Sequence, residues 1–216
     1  MDDRSVVLDL DRDRYVGLGR SLTRAALRLT GGPDPSRDDE RASELETGRA
    51  KLVAQGILTT SPPKTLRRTA PSATTSHWPS DPTDDASHRS MDWKAGLSAL
   101  RALTDAQVSL RTLPFRKTIA LVAREKVRPD HARARRTEQD LIDTFYGTRP
   151  WFPVKPICRL DAVALCIFLN RNGLDADLVF GVRLDPFHAH CWVQRGEAVL
   201  NEAHDGVLKY TPIMVV

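Results

Sequence analysis

Cys158, His190 and Glu202 follow one another in a 216-residue chain, and each carries a group that nucleophilic catalysis uses. A thiolate attacks a carbonyl, an imidazole accepts and returns the proton, and a carboxylate fixes the imidazole tautomer and stabilises its charged form. Cys158 opens the stretch "ICRLDAVALCIFLNRNG", which reads as a buried helix, apolar nearly all round from Ala162 to Leu169 and stopped at Asn172-Gly173. At a helix start, free backbone N–H groups and the positive end of the macrodipole favour a thiolate. Cys166, set among Leu165, Ile167 and Phe168, reads as a small core residue.

The histidine comes from "DPFHAHCWVQRGEAVLNE", residues 185–202. In a strand, His188, His190, Trp192 and Gln194 share one face while Ala189, Cys191 and Val193 share the other, which turns Cys191 away from His190. A three-residue loop "RGE" would pair Gln194 with Ala198, Trp192 with Leu200 and His190 with Glu202. A two-residue loop is expected to shift the register and offer Asn201, also a histidine-orienting type, instead. Spacing alone leaves both open, together with the reading that the three residues are unrelated. Trp192 could line a cleft beside His190 or belong to the core. A rival metal site would draw on Cys158, His188, His190 and His204, but it lacks the close ligand pairs of structural zinc motifs. No metal or cofactor is therefore expected.

The elements that must position these residues are partly legible. "DADLVFGVRL" and "AHCWVQ" read as strands joined by a turn at "LDPF". Upstream, Trp93, Leu97, Leu100 and Leu103 keep a helical spacing, Phe115, Ile119 and Val122 continue it, and "EQDLIDTFYG" reads as a further helix. At the N-terminus, "SVVLDLDRDRYVGLG" reads as a β-hairpin turning at "DRD". A helix follows from an N-cap at Ser21, with Leu22, Ala25, Ala26 and Leu29 on one face. A second helix is expected over 38–55, with Leu45, Leu52 and Val53 inward and Gly56 as its stop. Two strands plus helices in this span suggest a small winged-helix-like module over 1–60. Residues 61–90 are rich in Pro, Ser, Thr and charge and read as a flexible linker, leaving 91–216 as the second domain.

A hydrophobic fraction of 41% suits a globular α+β protein. No apolar run approaches the roughly 20 residues a membrane helix needs. The acidic start "MDDRSVVLDL" lacks the basic and apolar pattern of a secretory signal, so the expected location is the cytoplasm. Three cysteines argue against a disulfide framework. Net charge is +4, but between Arg111 and Arg136 the basic residues Arg111, Arg116, Lys117, Arg124, Lys126, Arg128, Arg133, Arg135 and Arg136 face only Glu125 and Asp130. Without interleaved aromatics this run reads as a solvated helix face or a docking surface rather than a nucleic-acid patch.

The segment "CRLDAVALCIFLNRNGLDADLVFGVRLDPFHAHCWVQRGEAVLNE" resembles the transglutaminase-like cysteine peptidase domain of lasso peptide biosynthesis B proteins. The features carrying it are a cysteine opening a "DAVAL"-like helix, the strand "VFGVRLDPF", "AHCWV" with the base histidine, and "VLN" followed by an acid. The resemblance implies a transglutaminase- or papain-like fold and a triad of Cys158, His190 and Glu202, with Glu202 standing where the family usually has Asp. More loosely, "VVLDLDRDRYVGLG" and "LVAQGILTT" resemble that family's winged-helix leader-recognition module. The resemblance further implies a lasso precursor peptide, bound by its leader and cleaved, and an ATP-dependent, asparagine-synthetase-like cyclase as partner. A non-catalytic scaffold that delivers the precursor to the cyclase is the alternative.

Overall fold

A computed structural model describes residues 5–30, 42–55, 57–58, 73, 75–76, 93–126 and 136–216. The chain forms two compact units, Met1–Arg67 and Arg68–Val216. In the first, β1 (Ser5–Asp9) and β2 (Arg14–Leu18) form the expected antiparallel hairpin, Ser5 opposite Leu18 and Asp9 opposite Arg14. The Asp9 carboxylate accepts the Asp11 and Arg12 N–H groups at 3.1 Å each, a side-chain turn that replaces lost ladder bonds. Helix α1 (Arg20–Thr30) starts one residue before Ser21, so Ser21 is inside the helix and is not its cap. Helix α2 spans Ala42–Ala54. Leu18, Ala25 and Leu52 form this unit's buried centre, packed by Val7, Leu22, Ala26, Ile57 and Leu58. Leu29 and Val53, both expected inward, are exposed, and Gly56 lies outside the described residues.

The second unit layers helices α3 (Trp93–Thr112), α4 (Phe115–Lys126), α5 (Glu138–Thr148) and α6 (Cys158–Arg171) with a five-stranded sheet. A 3₁₀ turn at Arg149–Trp151 follows α5 directly. The strands are β3 (Thr75–Ser76), β4 (Asp177–Leu184), β5 (Phe187–Arg195), β6 (Ala198–Val199) and β7 (Thr211–Val215), in the spatial order β3-β6-β5-β4-β7. A short helix α7 (His204–Val207) precedes β7. Thr75–Ser76, inside the stretch expected as linker, pairs parallel with β6, and the His204 ring contacts the Ala73 carbonyl at 2.8 Å. The rest of 61–90 lies outside the described residues.

Helix α6 is the centre of the unit, with every residue from Ala162 to Asn170 buried. An all-apolar helix can only be stable when covered on all sides, and α3, α4, α5, β4 and β5 do this. At its far end Asn170, itself buried, exchanges two hydrogen bonds with Ala176, both at 3.1 Å, which fixes the entry into β4. Helix α3 meets this core through small residues, Ala95, Gly96, Ala99, Ala102 and Ala106, together with Leu103. That corrects the expected face, because Trp93 and Leu97 are 69% and 60% exposed. The spacing was helical, but close packing on a bulky partner selects the stripe of small side chains.

The basic run is partly absorbed into this architecture. Lys126 pairs with Asp177 and lies 3.5 Å from Asp175, while Arg171 bridges Asp105 at 2.7 Å and the buried Glu125 at 3.3 Å. These ties join α3, α4, α6 and β4, so Glu125 and Lys126 are internal links where a solvated face was expected. Arg128, Asp130, Arg133 and Arg135 lie outside the described residues. Among the described residues no helix is long and apolar enough to cross a membrane.

The α3 correction is testable. Leu103→Ala should cost about 2–5 kcal/mol in urea unfolding, whereas Leu97→Ala should stay within about 0.5 kcal/mol. Equal losses from the two would mean that the apolar spacing, rather than the small-residue stripe, marks the buried face.

Candidate active site

Cys158 is the first residue of α6, preceded by Ile157 in extended conformation (φ −137°, ψ 127°). Isoleucine cannot cap, so the first-turn N–H groups are left to other acceptors, and the Cys158 sulfur accepts the Arg159 N–H. The cysteine is exposed, whereas Cys166 and Cys191 are buried. Burial pushes the Cys166 thiol up to about 12, which makes it the inert core residue expected.

The Cys158 thiol is held down at about 4 against an ordinary value of 9. The largest cause is a hydrogen bond from Cys191, followed by one from His190, with the His190 charge and the Arg159 N–H adding to them against the cost of burial. His190 is raised in turn to about 9 by hydrogen bonds to Cys158 and Glu202 and by their charges, against desolvation. The opposite shifts describe a thiolate–imidazolium pair, populated between the two values. The Nε2 nitrogen of His190 is bonded to the Glu202 carboxylate, leaving Nδ1 for the sulfur. The structure thus brings Cys158, His190 and Glu202 together.

The loop between β5 and β6 decides which side chain meets His190, though not as expected. Gln194 pairs with Val199 and Arg195 with Ala198, so the loop has two residues, Gly196 and Glu197, with Gly196 at φ +57°. Positive φ at the first central position alone is a type II′ pattern, which glycine adopts without strain. Neither expected ladder pairing occurs, because β6 ends at Val199; extended in this register, it would have set Ala203 opposite His190. Instead the Leu200 N–H reaches the Val193 carbonyl at 2.9 Å, and the Asn201 side chain takes the Val193 N–H at 2.7 Å. Asn201 therefore ends the ladder, and the chain turns so that Glu202 meets His190.

Alternation is expected to turn Cys191 away from His190; what it does not anticipate is that Cys191 meets the Cys158 sulfur as well. Among the described residues β6 covers only the end of β5, so no strand lies beside His190 and Cys191 on that side. The Cys158 sulfur has hydrogen bonds from both residues. Cys191, its thiol pushed well up by the neighbouring thiolate and by burial, keeps its proton and donates it.

Trp192 is 2% exposed and packs with Val179, Val199 and Val207, so it is a core residue. Its indole N–H donates to Gln194 at 3.0 Å, and its ring is stacked 6.3 Å from that of His190. Tyr210, which sequence reasoning missed, lies 5.0 Å from His190 and bonds His188 Nδ1 through its hydroxyl at 3.0 Å. This gives His188 a partner of its own. Gly181 and Gly206 were missed as well. A Cβ on Gly181 would stand 2.8 Å from the Trp192 ring, and one on Gly206 would collide with the Glu202 carboxylate. Their only sequence signal is the absence of a side chain. The rival metal set does not assemble: His204 turns to Ala73, and among the described residues no three His, Cys, Asp or Glu side chains converge as metal ligands.

Two variants probe this geometry without any substrate. Cys191→Ala removes the leading hydrogen bond to the thiolate, so the pH midpoint of Cys158 alkylation by iodoacetamide should rise from about 4. An unchanged midpoint would remove Cys191 from the site. Gly206→Ala should displace Glu202 and bring the NMR titration of His190 down from about 9, while Gly17→Ala, with open space around it, should leave that titration alone.

A model of the transglutaminase-like superfamily matches residues 100–215, which spans α6, β5 and Glu202. The microcin J25-processing protein McjB of Escherichia coli is 45% identical over 49 residues, a segment covering 23% of this chain and 24% of that protein. The chain thus matches about a quarter of that relative's length. No solved structure matches. The resemblance first read in "DAVAL", "AHCWV" and "VLNE" is met by both comparisons, and the chain belongs to the transglutaminase-like superfamily.

Proposed function

We propose that this protein is a cytoplasmic thiol peptidase of lasso peptide maturation. It binds the leader of a ribosomally made precursor and cleaves it off through Cys158, His190 and Glu202, before a partner ATP-dependent, asparagine-synthetase-like cyclase closes the macrolactam. The single observation that carries the chemistry is the convergence of Cys158, at the tip of α6, with His190 of β5, whose Nε2 is held by Glu202, an arrangement that lowers the thiol and raises the imidazole. Similarity to a microcin J25-processing protein supports the substrate class.

In this reading the Cys158 thiolate attacks the scissile carbonyl carbon, and the oxyanion forms at a helix start, where the Cys158 backbone N–H is the candidate donor. The imidazolium gives its Nδ1 proton to the leaving amine, and the S–C bond remains as a thioester. Neutral His190 then takes a proton from water, the hydroxide attacks the thioester, and the thiolate leaves with the leader carboxylate freed. Glu202 stays on Nε2 throughout and holds the ring in the tautomer that keeps Nδ1 on the sulfur. Glutamate is one methylene longer than the family's aspartate, and the missing side chain at Gly206 leaves room for its carboxylate.

For the first unit we propose the winged-helix-like leader-recognition role and for 91–216 the peptidase domain, with 61–90 linking them and adding the short strand β3 to the peptidase sheet. Among the described residues β1 and β2 pair only with each other, so their outer edges can accept a leader strand through main-chain hydrogen bonds.

Incubating the precursor peptide with wild type and Cys158→Ala, read by mass spectrometry, tests the proposal. Wild type should release the leader, the alanine variant should not, and His190→Ala should be slower by about 10²–10⁴-fold. The rate should follow a bell with limbs near 4 and 9, rising as the thiolate forms and falling as His190 loses its proton. Equal cutting by Cys158→Ala would overturn the thiol mechanism. Binding without cutting by wild type, with the cyclase present, would favour the scaffold alternative.

A further inference from the structure

We propose that Arg149 is a positioning residue of the thiol site: through Asp161 it fastens the first turn of α6, with Cys158 at its tip, to the end of α5. The inference rests on the thiol reading of Cys158 but not on the identity of any substrate. Arg149 follows α5 and opens the 3₁₀ turn, yet it is only 7% exposed. A buried guanidinium needs a strong reason to be there, since its desolvation is costly unless compensated. Its Nε donates to Asp161 Oδ1 at 2.6 Å, and Nη1 donates to the Phe152 carbonyl at 3.4 Å. Its carbon lies 5.7 Å from the Phe152 ring, and Nη2 is buried without a hydrogen-bond partner. The fork is thus incompletely filled, and what holds the side chain inward is its single short bond to one carboxylate.

Asp161 lies one turn after Cys158. Its carboxylate accepts the Ile157 N–H at the helix start and senses the negative charge of the Cys158 sulfur. Burial raises Asp161, and the Arg149 hydrogen bond and charge oppose that rise. The charged groups gathered here are Cys158, Asp161 and Arg159 on α6, Arg149 after α5, His190 on β5, and Glu202, with the Tyr146 phenol of α5 and the Cys191 thiol of β5 neutral. Without Arg149 the Asp161 carboxylate would stand uncompensated one turn from a thiolate, and repulsion would disfavour the anion that attacks. Arg149 also supplies geometry, because the α6 start has no capping side chain at Ile157 and its tether runs instead through Asp161 to the end of α5.

The test reads Cys158 directly, by iodoacetamide alkylation across pH with the modified peptide mapped by mass spectrometry, and by circular dichroism for the fold. Arg149→Met should raise the alkylation midpoint by about one pH unit, a tenfold loss of thiolate below it, while Arg149→Lys should recover most of the shift. The double variant Arg149→Met/Asp161→Asn should return toward wild type, because the uncompensated charge is gone. A folded Arg149→Met with the wild-type midpoint overturns the proposal. Should Arg149→Met not fold, Asp161→Asn decides: it should leave the midpoint unchanged or lower it, and a raised midpoint overturns the charge argument. Wild-type alkylation behaviour without precursor cleavage would sink only the peptidase reading.

Discussion

A thiolate and an imidazolium stabilise each other only while two elements from different parts of the chain hold them at one point. Here the elements are the first turn of α6 and the middle of β5, and the pair has Cys158 held at about 4 and His190 at about 9. Much of the second unit serves that meeting. Helix α6 is wrapped on all sides so that its tip can be placed by the core. Asn170 locks its other end into β4, and β4 pairs along its whole length with β5. The ion pair is local, but its geometry is set by packing that extends through the whole layer of helices.

The surroundings of His190 follow a similar logic. Its ring lies over a wall of Trp192 and Tyr210, and the wall fits because Gly181, directly across the ladder, has no side chain. Its other edge is held by Glu202, whose carboxylate occupies space that Gly206 leaves free. Two glycines are therefore as much part of the site as the charged groups, because each permits a close approach that a methyl group would prevent. Cys191 adds a proton donor that strand alternation alone would have assigned to the opposite side.

Long periodic elements were legible in the sequence for a physical reason: a buried helix must be apolar all round, and a half-buried strand must alternate. Thus α6, β4, β5 and the N-terminal hairpin fall where patterning places them. Trp93 and Leu97 misled because periodicity names a stripe without saying which stripe faces the core, and α6 is bulky enough to choose the alanines. The link between β5 and β6 misled because register was assumed to continue into residues 201–202. In fact the ladder stops after two strand pairs, and a side chain, Asn201, supplies the next acceptor. The small-residue contacts and the Arg149–Asp161 tie had no local signal, since each joins residues whose proximity is created by folding.

From the sequence by itself came the candidate groups of the site, their order along the chain and the elements that carry them, because residue type and local periodicity are properties of short stretches. The resemblance in "DAVAL", "AHCWV" and "VLNE" belongs to the same level. Only the tertiary structure decided that Glu202 rather than Asn201 meets His190, that Cys191 donates to Cys158, and that Trp192 is core. Each of these depends on where a strand ends or a helix tip lands relative to another element, and such distances are fixed by long-range packing that no window of sequence contains.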